Sequence, residues 1–387
     1  VRAYHLPRAV SFKRALRMGA GLGVTRHPVT LDDIAVLQYT GGTTGLAKGA
    51  MLTHGNLVAN MQQVRACMSQ LGDDGHPLIK EGQEVMIAPL PLYHIYAFTA
   101  NCMCMMVSGN HNVLITNPRD IGGFIKELKQ WQFSGLLGLN TLFVALMDHP
   151  DFKTLDFSHL KITNSGGTAL VKATAERWKA LTGCAIGEGY GLTETSPVAS
   201  TNPYGGLSRL GTVGIPVPGT AMKVVDDLGQ ELPLGERGEL CIQGPQVMKG
   251  YWQQPAATAE TLDADGWLKT GDIAVIDTDG YISIVDRKKD LIIVSGFNVY
   301  PNEIEDVIMA HPAVANCAVI GVPDERTGEA VKLFVVARAQ GVSLEELKAY
   351  CKANFTGYKV PKHIVLRESL PMTPVGKILR RELRDIA

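Results

Sequence analysis

The sequence predicts an α/β protein in three parts: a helix-covered, largely parallel sheet, a small β-barrel-like region, and a small α+β domain at the C-terminus. Three observations carry this. From Glu84 to Gly191, short apolar runs alternate with helical stretches, as in strands joined by crossover helices. From about Leu207, short β-like runs are separated by turn signals such as Val217-Pro218-Gly219, Asp227-Leu228-Gly229 and Asp279-Gly280, which suits a barrel or sandwich. Beyond the charged run Asp286-Arg287-Lys288-Lys289-Asp290, strand and helix patterns mix again.

Taken in order, Ile34-Ala35-Val36-Leu37 reads as a strand, and a helical pattern follows from Thr53. Glu84–Leu90, His111–Thr116, Phe133–Gly138 and Leu160–Asn164 read as strands, and Ile95–Val107, Ile121–Trp131, Thr141–Met147 and Val171–Leu181 as helices. Past the charged run, Leu291–Val294, Ala318–Val322 and Leu333–Ala337 read as strands, Pro301–Ala310 and Leu344–Asn354 as helices. Five consecutive charged residues rarely sit in a core, so 286–290 is expected to be a linker. The expected divisions are 1–206, 207–285, the linker 286–290, and 291–387. The chain begins at Val1 with no domain-opening pattern, so 1–206 is expected to be the remainder of a larger domain.

The composition, 45% hydrophobic and 19% charged, is that of a globular protein. A formal net charge of −1 gives no electrostatic case for nucleic acid. The apolar tract Val85–Val107 is broken by Pro89, Pro91, His94 and Asn101, so it reads as a buried strand, a loop and a buried helix rather than a membrane span. The seven cysteines mostly sit in apolar runs and read as reduced core thiols of a cytoplasmic protein. A peripheral contact with the inner membrane stays open.

The densest chemical signal is Tyr39-Thr40-Gly41-Gly42-Thr43-Thr44-Gly45-Leu46-Ala47-Lys48-Gly49. Glycines let backbone N–H groups approach a ligand, hydroxyls add donors, and a lysine adds a point charge. Together these suit a polyphosphate in a strand–loop–helix setting. The P-loop register fails, because Lys48 is followed by Gly49 rather than a hydroxyl residue. Alone, such a loop serves equally well as a flexible surface segment.

Further motifs fall in a fixed order: Pro91-Leu92-Tyr93-His94, Gly189-Tyr190-Gly191-Leu192-Thr193-Glu194, Gly266-Trp267-Leu268-Lys269-Thr270-Gly271-Asp272, Asp286–Asp290, Ser295-Gly296-Phe297-Asn298-Val299-Tyr300-Pro301 and Pro374-Val375-Gly376-Lys377. With the glycine loop, the set resembles the adenylate-forming superfamily of acyl-CoA synthetases, luciferases and adenylation domains. The segments Leu37–His54, Thr116–Leu128 and Val285–Val307 look most similar to bacterial long-chain fatty acid–CoA ligases. The resemblance implies the adenylate-forming fold and the substrates fatty acid, ATP and CoA, with Mg²⁺.

The resemblance also implies roles. Thr40, Gly41, Gly42, Thr43, Thr44, Gly45 and Lys48 would hold the phosphates, and Glu194 with Thr40 the Mg²⁺, a hard ion suited to oxygen ligands. Thr193 and Glu194 would belong to the catalytic set. Tyr190 would stack on adenine, with Gly166, Gly167, Glu188 and Gly189 lining the nucleotide pocket. Asp272 would accept the ribose hydroxyls and Arg287 would approach ribose and phosphate. Lys377 would bridge the carboxylate and the α-phosphate during adenylation. Lys289 would be the hinge about which the C-terminal domain turns, bringing Gly296 to the CoA channel. His94, Gly138 and Ser165 would form the acyl pocket. An acyl-AMP ligase serving a carrier protein, or a medium-chain synthetase, is the alternative. No insertion separates Lys289 from Gly296, which favours CoA.

Overall fold

A computed structural model of the chain describes residues 8–40, 47–70, 75, 77–204, 206–339, 341–373 and 377–385. The first described helix, α1 (Phe12–Gly19), buries none of its residues. Next come strands β1 (Ile34–Thr40) and β2 (Lys48–Thr53) and helix α2 (His54–Met68). Thr53 caps α2: its hydroxyl accepts from Asn56 N–H while the Asn56 side chain accepts from Thr53 N–H, a reciprocal capping box.

Here the structure corrects the expected strand–loop–helix. β1 and β2 pair antiparallel, with Thr40 opposite Lys48, so a second strand precedes the helix. Residues 48–53 hold two small residues, and β2 gains its order from its partner rather than from propensity. Gly41, Gly42, Thr43, Thr44 and Gly45 lie outside the described residues.

The central sheet follows: β3 (Val85–Ala88), α3 (Ile95–Ala97) continued by a π-helical turn over Phe98–Met105, β4 (His111–Leu114), α4 (Ile121–Leu128), β5 (Gly135–Gly138), α5 (Asn140–Asp148), β6 (Ile162–Ser165), α6 (Lys172–Thr182), β7 (Ile186–Gly191), β8 (Val198–Thr201) and β9 (Ile215–Pro216). The spatial order is 4-3-5-6-7-8-9. Pairing is parallel from β4 to β7 and antiparallel beyond. Helices α4, α5 and α6 cover one face around Phe124, Phe143, Phe152 and Trp178. The sheet runs past residue 206, because β9 bonds to β8.

The barrel-like region takes the form of a four-stranded antiparallel sheet in the order β10 (Ala221–Val225), β11 (Arg237–Gln243), β12 (Leu268–Ile276), β13 (Ile282–Arg287), with α7 (Pro255–Thr261) between β11 and β12. The C-terminal part holds β14 (Ile292–Val294), β15 (Phe297–Val299), α8 (Pro301–Met309), β16 (Val314–Asp324), β17 (Gly328–Ala337), α9 (Leu344–Asn354), β18 (His363–Arg367) and α10 (Arg380–Asp385). Its strands form one sheet with its own core around Ile304, Val319, Leu333 and Leu347. Among the described residues no helix is long and apolar enough to cross a membrane.

The charged run is exposed at Arg287, Lys288 and Lys289 and buried at its two ends. Asp286 is 0% and Asp290 6% exposed. Asp286 accepts from the N–H groups of Arg287 and Asn302, and Asp290 pairs with Arg384 at 2.7 Å and Arg380 at 3.7 Å. Buried carboxylates are tolerated when each has such partners, and here Asn302, Arg380 and Arg384 come from further along the chain.

Candidate active site

Ligands of parallel sheets bind beyond the C-terminal ends of the strands, and several of the predicted residues gather there. Ser165 ends β6 opposite Glu188 of β7. Gly166 and Gly167 follow Ser165. A Cβ on Gly166 would lie 3.1 Å from the Tyr96 ring, and Gly167 has φ +82°, a conformation that favours glycine.

Tyr190, near the end of β7, donates its hydroxyl to Asp272 Oδ2 at 2.5 Å. Asp272 is only 3% exposed. It sits on β12 directly opposite Arg287 of β13 and pairs with the Arg287 Nε at 3.2 Å. Burial, then the neighbouring Asp272 carboxylate, push the Tyr190 phenol well above its usual pKa, so it stays a neutral donor.

Lys377 enters from the C-terminal domain. With Leu90, His94, Tyr96, Leu139, Gly166 and Gly167 it lines one cavity. Burial and then Arg287 lower its pKa, while Asp272 and Glu194 oppose the shift. His94 is lowered by burial and then by Lys377, which keeps its imidazole neutral at physiological pH. Tyr96 donates to Asn164 Oδ1 at 2.7 Å and so fixes one wall of the cavity.

Glu188 is 8% exposed. Its Oε2 accepts from Leu170 N–H at 3.3 Å, while its Oε1, like Ser165 Oγ, has no hydrogen-bond partner among the described residues. Burial raises its pKa to about 7. Unpaired buried polar atoms are costly and point to a ligand group.

Glu194 lies in a 3₁₀ turn with Thr193 (Thr193–Thr195). Tyr251 donates to its Oε1 at 2.7 Å, and the Lys48 ammonium stands 5.0 Å from the Tyr251 ring centroid. Thr40 donates to Lys48 O at 3.4 Å. The carboxylate of Glu194 and the hydroxyl of Thr40 are hard oxygen donors and fit Mg²⁺. No group of three or more His, Cys, Asp or Glu that could hold a metal occurs among the described residues, so an ion here would need phosphate and water as further ligands.

Other expected residues lie apart from the cavity. Gly138 is walled off: a Cβ there would meet the Phe143 ring at 2.8 Å, and it is the next residue, Leu139, that faces the cavity. Gly189 pairs with Thr201 in the sheet. Lys289 lies in the turn Lys288–Asp290. Gly296, with φ +83° and open space at its Cβ position, turns the β14–β15 hairpin.

Tyr251 and Tyr96 were not anticipated. Tyr96 stands two residues past the His94 motif, which is a usable signal. Tyr251 has none in its own segment: it reaches Glu194 because its backbone bridges to Ala50 of β2.

Polar groups at the strand ends and a lysine from a small C-terminal domain come together here, an arrangement of the class of AMP-forming enzymes. The chain belongs to that family: residues 7–252 match the AMP-binding enzyme family and residues 303–377 the AMP-binding enzyme C-terminal domain. It is 53% identical over 384 residues to a long-chain-fatty-acid–CoA ligase of Salmonella typhimurium, covering 99% of this chain and 67% of the relative. It is 41% identical to the enzyme so described from Bacillus subtilis, covering 91% and 62%. Among solved structures it is similar to ATP-bound MatB from Rhodopseudomonas palustris, at TM-score 0.85 and 32% identity over 96% of this chain and 72% of that one. It is also similar to the Bacillus subtilis o-succinylbenzoate CoA synthetase MenE with its acyl-adenylate, at TM-score 0.79 and 29% identity, covering 92% and 70%.

Proposed function

We propose that this chain carries the active site of an ATP-dependent long-chain fatty acid–CoA ligase. The observation that carries the reading is Lys377: a C-terminal-domain lysine lines one cavity with His94, Gly166 and Gly167 and senses Arg287, Asp272 and Glu194. The relatives' printed activity supplies the substrate class.

In the first step a carboxylate oxygen of the fatty acid attacks the α-phosphorus of ATP, and the bond to pyrophosphate breaks. Two anions must meet, so fixed cations and donors matter most. Lys377 spans the carboxylate and the α-phosphate. Tyr190 stacks on adenine, Asp272 accepts the ribose hydroxyls, and Arg287 is held by Asp272 beside the phosphate. The unpartnered Oε1 of Glu188 and Oγ of Ser165, on the neighbouring strand ends, are available as partners for ligand groups. Glu194, oriented by Tyr251, and Thr40 would hold Mg²⁺, which neutralises phosphate charge when bound.

In the second step the CoA sulfur attacks the acyl carbon and AMP leaves. The C-terminal domain turns about Lys289, withdrawing Lys377 and bringing in the Gly296 hairpin, whose open Cβ position leaves room for a pantetheine arm. β14 begins two residues after Asp290, with no inserted segment of the kind that acyl-AMP ligases carry. This supports CoA as acceptor. The cytoplasm supplies ATP and CoA, and the fatty acid brings the enzyme to the membrane surface peripherally.

The test is pyrophosphate release that requires a fatty acid, followed by a scan of CoA thioester formation across acyl chain lengths. A maximum at long chains is expected. A maximum at short or aromatic acids, or no acid dependence, contradicts the reading.

A further inference from the structure

Asn302, the second residue of α8, is bonded on both sides of the hinge. Its backbone N–H donates to Asp286 Oδ2 at 2.8 Å and its Nδ2 to Val285 O at 3.2 Å. Both acceptors precede Lys289 in the chain. Its Oδ1 accepts from Arg380 Nη2 at 3.0 Å, which lies in the C-terminal domain three residues past Lys377.

Arg380 is itself held by both Glu305 oxygens at 2.8 Å. Lys377 is also tied to Thr373: Lys377 O accepts from Thr373 N–H at 2.8 Å and Lys377 N–H donates to Thr373 Oγ1 at 3.0 Å. A run of bonds therefore links β13 through Asn302 to Arg380, and Arg380 stands three residues along the chain from Lys377. Beside it, Arg237 of β11 pairs with Glu303 of α8 at 3.0 Å and stands 5.1 Å from the Tyr300 ring centroid.

We propose that Asn302 is a positioning residue, the centre of a clasp that seats Lys377 for adenylation and must open before thioester formation. The proposal rests on the reading that the C-terminal domain turns about Lys289. Val285, Asp286 and Arg237 lie before that hinge, and Tyr300, Asn302 and Glu303 after it. Any rotation there pulls the two sets apart, so the clasp belongs to one arrangement only. It has no counterpart bond to lose in the second half-reaction, so weakening it must act on the two halves unequally.

The experiment measures both half-reactions in Asn302→Ala and Arg237→Ala of the full-length enzyme, with thermal midpoints alongside. Asn302→Ala keeps the backbone bond to Asp286 but removes both side-chain bonds. Acid-dependent pyrophosphate release should fall roughly fivefold to thirtyfold, the loss expected for two hydrogen bonds. CoA transfer from supplied acyl-adenylate should stay within about twofold of the parent or rise. Arg237→Ala, at a half-exposed position, should shift the same ratio by about twofold to fivefold, and it carries the test should Asn302→Ala fail to fold. Equal losses in both half-reactions, or no change in either, overturn the proposal. A parent enzyme that releases no acid-dependent pyrophosphate would instead sink the functional reading.

Discussion

Tyr190 and Asp272 share a 2.5 Å hydrogen bond that ties the last parallel strand of the central sheet to the neighbouring antiparallel sheet. The same carboxylate holds Arg287. On the proposed reading, this one aspartate would align a ring for the base, a guanidinium for the phosphate and its own oxygens for the ribose. Replacing Asp272 with asparagine should raise the KM for ATP at least about tenfold, because two charge-assisted contacts are weakened together. Tyr190→Phe keeps the ring and should cost less than Tyr190→Ala. Equal losses in the two Tyr190 variants would deny the ring a stacking role.

Glu188 should make stability depend on pH. In the unfolded chain its carboxyl titrates near its ordinary 4.5, and in the folded one at about 7. Between these values the unfolded state has released a proton that the folded state retains. Rising pH therefore lowers stability across that window and adds nothing further above it, with a span on the order of 3 kcal/mol. Glu188→Gln should flatten this part of the pH profile of the unfolding midpoint. An unchanged slope would show that the carboxyl is solvated or paired.

Glu194→Gln removes an anionic oxygen while leaving an acceptor for Tyr251. Magnesium dependence should shift to higher concentration, and raising magnesium should recover part of the rate. A titration curve that overlays the parent's would reassign Glu194 to holding Tyr251 and the turn.

Gly138→Ala separates packing from specificity. Its new methyl would sit 2.8 Å from the Phe143 ring, and overpacking of this kind costs about 1–3 kcal/mol. The variant should unfold at lower temperature with an unaltered acyl-chain profile. A changed profile at unchanged stability would return Gly138 to the acyl pocket.

Much of this was legible in the sequence because the parallel strands are apolar on both faces and short. Gly135–Gly138 is buried throughout, so composition marks it without help from tertiary context. α9 (Leu344–Asn354) falls where its pattern placed it, since Ser343 caps it through Glu346 N–H. The strand β2 was not legible, because a strand that depends on pairing with β1 carries little pattern of its own. Nor was the burial of Asp286 and Asp290, whose partners Asn302, Arg380 and Arg384 stand up to 94 residues away. Tyr251 escaped for the same reason: it meets Glu194 across 57 positions.

The central claim is that one cavity serves two half-reactions, with Lys377 needed only for the first. The direct measurement is Lys377→Ala in the full-length enzyme, with acyl-adenylate formation and CoA transfer from supplied acyl-adenylate followed separately, and with bulky Gly296→Trp as its mirror. On this account Lys377 would act only while charge builds between carboxylate and phosphate. Lys377→Ala should therefore abolish adenylation and leave CoA transfer largely intact, and Gly296→Trp should do the reverse. Parallel loss of both half-reactions in Lys377→Ala would contradict the account.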